Sequence, residues 1–119
     1  MGDGRQAFGR WGEDYAVSHL QAQGLQVLDR NWRCRHGELD VVALDVDGAV
    51  VFVEVKARRT SRFGQPFEAV NHTKAQRIRT LALHWLAAHH RAGELRFDVV
   101  SVVKEPGLPP VLTHLRRAF

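Results

Sequence analysis

A chain of 119 residues with a formal charge of +4 fits one domain with a single sizeable core, and its basic surplus favours a polyanionic partner, most simply nucleic acid. Apolar (45%) and charged (25%) fractions are ordinary for a soluble globular protein, and no apolar run approaches the length of a membrane span, so no membrane partner is expected. The lone cysteine, Cys34, excludes an internal disulfide and fits a reducing compartment; Met1–Arg5 carries no apolar signal segment, and a cytoplasmic location is expected.

Gly4 to Gln23 reads as a helix with Phe8, Tyr15, Ala16 and Leu20 near helical spacing on one side and Gly24 as its C-cap. Gly9 and Gly12 each cost about 1 kcal/mol relative to alanine inside a helix, so they serve close packing or the close approach of a ligand. Glu13, one turn from Gly9, is by itself an ordinary solvated helix residue. Leu25–Trp32 reads as a strand, Arg33–Gly37 as a basic turn, and Glu38–Asp45 as a second strand whose Glu38 and Asp40 project to one face. The turn Asp45-Val46-Asp47-Gly48 then returns the chain through an antiparallel hairpin into the strand Val50–Lys56.

That third strand is apolar until it ends in Glu54 and Lys56, which share a face with Phe52. Charges at the end of a buried strand need a partner or a metal. A turn centred near Asp47 pairs residues whose numbers sum to about 94, so Asp40 is expected opposite Glu54. Two facing carboxylates repel unless a cation lies between them.

Residues 57–66 read as a basic loop, either simply solvated or gripping phosphates through Arg58, Arg59 and Arg62. Thr73-Lys74-Ala75-Gln76 fits a capping box opening a second helix with Ile78, Leu81, Ala82 and Trp85 as its apolar stripe; Trp85 is read as core. Lys74, in its first turn, is a candidate phosphate contact. Leu95–Val103 reads as a fourth strand in which Asp98 is paired structurally with Arg96, and Val111–Phe119 as a short edge strand followed by a basic tail that packs Phe119. The order αβββαβ predicts one α/β domain over residues 1–119: an antiparallel meander of three strands, a crossover helix, and a fourth strand joining a mixed sheet in parallel.

Glu13, Asp40 and Glu54 with Lys56 form a constellation of hard oxygen donors beside a cation, which suits Mg²⁺ or Mn²⁺ over zinc. Such an ion activates water and stabilises a leaving oxygen at phosphorus, while Lys56 orients or deprotonates the water or neutralises transition-state charge. Cys34-Arg35-His36 with His89-His90 lacks the spacing of a structural zinc site, and no G-x-S-x-G nucleophile turn is present.

Asp40 followed by Glu54-Val55-Lys56 resembles the PD-(D/E)XK nuclease signature of restriction endonucleases and archaeal Holliday junction resolvases, with Leu39 where that signature often has proline. More closely, the chain resembles the YraN family of predicted bacterial nucleases through Gly9–Glu13, Asn31–Arg35, Gly37–Asp40, Phe52–Arg58, Phe63-Gly64, Lys74 and Arg96–Val100. The resemblance implies a restriction-endonuclease-like core. It also implies Glu13, Asp40, Glu54 and the Val55 carbonyl as metal ligands, Lys56 as the catalytic lysine, and a homodimer by analogy with junction-resolving relatives. The expected activity is metal-dependent hydrolysis of DNA, branched or flapped forms included. The alternative is a non-catalytic nucleic-acid-binding or recruitment module that keeps the fold; a purely protein-binding role is permitted by the basic loop but not suggested by it.

Overall fold

The computed structural model describes residues 4–60 and 70–119. Helix α1 (Gly4–Ala22) precedes strands β1 (Gln26–Cys34), β2 (Gly37–Leu44) and β3 (Val50–Arg58); helix α2 (His72–Ala88) leads to β4 (Leu95–Val103) and β5 (Val111–Leu115). The five strands form one sheet in chain order. Neighbours pair antiparallel except β3 and β4, which run parallel across the α2 crossover. This is the mixed α/β architecture expected of a restriction-endonuclease-like core, with the C-terminal edge strand β5 completing it. Among the described residues no helix is long and apolar enough to cross a membrane.

Strand alternation splits the core into two layers. On one face Val41, Ala43, Val51, Val53, Val100 and Val102 meet Ala16, Val17 and Leu20 of α1. On the other, Leu39, Val42, Phe52 and Phe97 meet Ile78, Leu81 and Trp85 of α2. The helices therefore cover opposite faces. Trp85 is core, as expected: it is 1% exposed, its ring meets Phe52 edge-on at 5.9 Å, and its indole N–H donates to Asp29 at 3.0 Å. Phe119 packs against Phe97 with ring centroids 5.4 Å apart, closing this layer.

Two local expectations are corrected. The buried line of α1 runs through Gly12, Ala16, Val17 and Leu20, and Tyr15 is 38% exposed; an i, i+4, i+8 line through Gly12, Ala16 and Leu20 turns Tyr15 onto the helix flank. The N-cap of α2 is Asn71, two residues before Thr73, because its carbonyl side chain accepts the Lys74 backbone N–H at 2.9 Å. Gly24 does terminate α1, at φ 92°, with the Leu25 N–H returning to the Leu20 carbonyl.

The expected Arg96–Asp98 pair is the centre of a buried network. Arg96 donates twice to Asp98, at 3.1 and 3.0 Å, and once to Asp45 at 2.7 Å. His114 of β5 lies 2.8 Å from Asp98, and His19 of α1 lies 3.1 Å from His114. Burial alone would raise the Asp98 pKa, but hydrogen bonds from His114, Arg96 and the Arg117 N–H outweigh it and hold Asp98 below the ordinary carboxylate value. This network ties the turn after β2 to β4, β5 and α1, at the other end of β2 from Asp40.

Candidate active site

The β2–β3 ladder keeps a constant register: Leu44 pairs Val50, Ala43 pairs Val51, Val42 pairs Phe52 and Val41 pairs Val53. Every pair sums to 94, as the turn position predicts. The ladder stops there, while β3 continues beside β4 as far as Arg58. The two strands part just where Asp40 and Glu54 would have been the next pair. The Val55 N–H, which loses its β2 partner at this fork, donates instead to Asp40 Oδ2 at 2.9 Å.

Asp40 is thereby held between the strands with its charge poorly compensated. Burial and the nearby negative charge of Glu54 push its pKa up to about 7, against a smaller downward pull from the Val55 N–H and Lys74. Glu54 follows Phe52 onto the α2 side of the sheet. There Lys74, from the first turn of α2, reaches it with Nζ–Oε1 2.6 Å. The lysine expected to contact phosphate is thus bound to a carboxylate of the site. Lys56 is the next residue on the Glu54 face and, among the described residues, its ammonium has no ion-pair partner within 4 Å.

Glu13 approaches from α1. Its Oε1 accepts from Arg30 Nε and Nη2 at 3.1 and 2.9 Å and from Asn31 Nδ2 at 2.9 Å. Asn31 adopts φ 53° and falls out of the β1–β2 pairing between Arg30–Val41 and Trp32–Leu39. Asparagine tolerates this left-handed backbone better than most residues. Glu38 pairs with Arg33 directly across the hairpin at 2.6 Å. Together Glu13, Asn31, Arg33, Glu38 and Asp40 wall a groove of about 610 Å³ between α1 and the start of β2.

The fold therefore brings Asp40 and Glu54 together at the fork and sets Glu13 on the wall of the same groove. Among the described residues no three Asp, Glu, His or Cys side chains converge closely enough to cage an ion. Of the expected nucleic-acid contacts, Arg59 lies 4.2 Å over the Phe8 ring and donates to the Gly4 carbonyl at 3.2 Å. Arg58 shares a second groove with it, and Arg62, like Phe63-Gly64, lies outside the described residues. Sequence reasoning missed Arg30 and Asn31 as partners of Glu13 and Lys74 as the partner of Glu54. It also missed the Arg33–Glu38 pair, which the hairpin register would have revealed had β1 been extended to Cys34.

Residues 12–102 match the profile of the family described as "Uncharacterised protein family UPF0102". The UPF0102 protein of Nocardia farcinica is 51% identical over 120 residues, covering 100% of this chain and 93% of that protein. That of Frankia alni is 54% identical over 117 residues, covering 97% and 96%, and that of Acidothermus cellulolyticus 44% identical over 126 residues, covering 97% and 95%. With the match running across the helix, the fork and the buried network alike, the chain belongs to the UPF0102 family, the YraN family of its sequence resemblance.

Proposed function

We propose that the protein is a metal-dependent endonuclease that hydrolyses phosphodiester bonds in DNA. The observation that carries this reading is Asp40: a carboxylate held in the fork by the Val55 N–H and pushed to about 7 by burial and Glu54. A carboxylate whose pKa is raised by burial and a neighbouring carboxylate is one that a cation would relieve.

The donors fit a hard ion that retains water. Asp40 and Glu54 would hold Mg²⁺ or Mn²⁺ with the Val55 carbonyl, and Glu13 would join directly or through water on release from Arg30. When bound, such an ion activates water and stabilises the oxygen leaving phosphorus. The chain's own residues do the rest. Lys56 Nζ donates to the scissile phosphate or the attacking water, offsetting the negative charge that builds at phosphorus. Lys74, as it leaves Glu54, supplies a second cation at the α2 N-terminus, and Arg58 and Arg59 hold the polyanion beyond it. The Asp40–Val55 hydrogen bond orients the carboxylate and keeps the fork open.

The test is a panel of single-stranded, duplex, flap and four-way DNA with Mg²⁺ or Mn²⁺. Cleavage by the parent that disappears in folded Asp40→Ala, Glu54→Ala and Lys56→Ala variants is expected. Intact substrates throughout, with highly purified protein, would remove catalysis as its autonomous role. A second reading, a non-catalytic nucleic-acid-binding module, draws on a different observation: Glu13 and Glu54 already have cationic side chains as partners. It expects salt-dependent DNA binding that neither metal nor Asp40→Ala alters.

A further inference from the structure

The two interior glycines of α1, Gly9 and Gly12, have different explanations. A Cβ on Gly12 would stand 2.5 Å from the Ala57 Cβ, so Gly12 lets the helix close onto β3. A Cβ on Gly9 would meet nothing within 4 Å among the described residues. Gly9 is exposed in mid-helix, where alanine would be the more stable choice, and among the described residues no contact requires it.

Gly9 is, however, where two grooves meet. On one side lies the groove with Asp40 and Glu13; on the other lies one of about 500 Å³ lined by Phe8, Arg58, Arg59 and Thr60. Gly9 and Ala57 wall both, so the ridge between them carries nothing larger than a methyl group. Beyond the ridge stands a column of flat groups. The Arg59 guanidinium covers Phe8 at 4.2 Å, Phe8 stacks on Trp11 at 5.4 Å, and Trp11 leans on Tyr15 at 5.5 Å.

We infer that an unpaired segment of polynucleotide crosses α1 at Gly9, its backbone lying against the glycine and a base stacking on the outer face of Arg59. The inference rests on the nuclease reading for the groove it enters and names single-stranded nucleic acid as what the flank of that groove takes. A sugar-phosphate backbone can pass this low ridge only while position 9 has no side chain. Stacking on a guanidinium or an aromatic ring needs a base whose face is free, which duplex bases lack. Arg58 and Arg59 supply charge complementary to phosphate. A second copy of the chain fits less well, because an isologous contact here would set the same arginines against each other.

The test is fluorescence anisotropy of a labelled single strand and of the corresponding duplex, in EDTA so that cleavage does not intervene, with the parent, Gly9→Leu and Arg59→Ala. Leucine is a good helix former, so Gly9→Leu is expected to melt no lower than the parent. Both variants are expected to bind the single strand more weakly by about fivefold or more; Gly9→Leu leaves duplex binding little changed, whereas Arg59→Ala, which also removes a phosphate contact, weakens duplex binding by less than it weakens single-strand binding. Single-strand binding by Gly9→Leu equal to the parent's would overturn the inference, even if the parent cleaves DNA. So would a lowered melting temperature in Gly9→Leu, which would make the glycine a packing requirement, or a loss confined to the duplex. A parent that cleaves nothing but shows the Gly9 effect would sink the catalytic reading and leave this one standing.

Discussion

Asp40→Asn removes a charge the fold accommodates badly, so it should stabilise the protein while abolishing cleavage. The asparagine oxygen can still accept the Val55 N–H, which isolates the charge as the variable. Raising a carboxyl from 3.8 to about 7 corresponds to ~4 kcal/mol of penalty on the ionised folded state at about 1.4 kcal/mol per tenfold change in proton affinity. Asp40 is only partly buried and shares its field with Glu54, so about 2 kcal/mol is the expected gain at pH 8. The sign follows from proton binding. Between 3.8 and about 7 the folded state keeps the Asp40 proton and the unfolded state has lost it, so this group's favourable contribution, complete below 3.8, disappears as pH rises through about 7. Urea unfolding in EDTA, followed by the fluorescence of the three tryptophans, buried Trp85 among them, reads the effect. Asp40→Asn should exceed the parent at pH 8, with the gap narrowing as pH falls toward 4. A variant less stable than the parent at pH 8, or a gap independent of pH, would refute the assignment of Asp40 as an uncompensated charge.

The remaining predictions concern the network and the helix. Arg96→Ala should lower stability by about 3–5 kcal/mol in urea unfolding, because it strands Asp98 and Asp45 in the interior without their cation. The stability Asp98 contributes is complete above its ordinary 3.8 and lost as pH falls through its lower folded value, so Asp98→Asn should flatten acid unfolding in that window. Gly12→Ala should cost about 1–3 kcal/mol by forcing α1 off Ala57, whereas Gly9→Ala should add about 0.5–1 kcal/mol; thermal melts of the pair distinguish them directly. Lys56→Ala should leave stability within about 0.5 kcal/mol while eliminating cleavage, a split that chemical denaturation and the substrate panel check together.

Much of the fold is local in origin and was legible. Turn position set the β2–β3 register, so the approach of Asp40 to Glu54 could be derived from residue numbers. Strand alternation put Arg96 and Asp98 on one face, and the missing third partner, Asp45, was hidden because it lies 51 residues away. The cap of α2 was misplaced because Asn71 and Thr73 both have cap-forming side chains, and only the backbone path chooses between them.

The amino-acid sequence by itself determined the candidate chemistry: which strand ends in charge, which two carboxylates meet at the fork, and which lysine follows on the same face. Periodicity and short turns carry that information because they act over a few residues. Tertiary structure alone decided how each charge is met. Arg30 reaches Glu13 across 17 residues, and Lys74 reaches Glu54 from a helix on the opposite face to α1. It also separated Gly12, pressed against Ala57, from Gly9, open between two grooves. Such pairings depend on how helices seat on the two faces of the sheet, a packing outcome that no local spacing encodes.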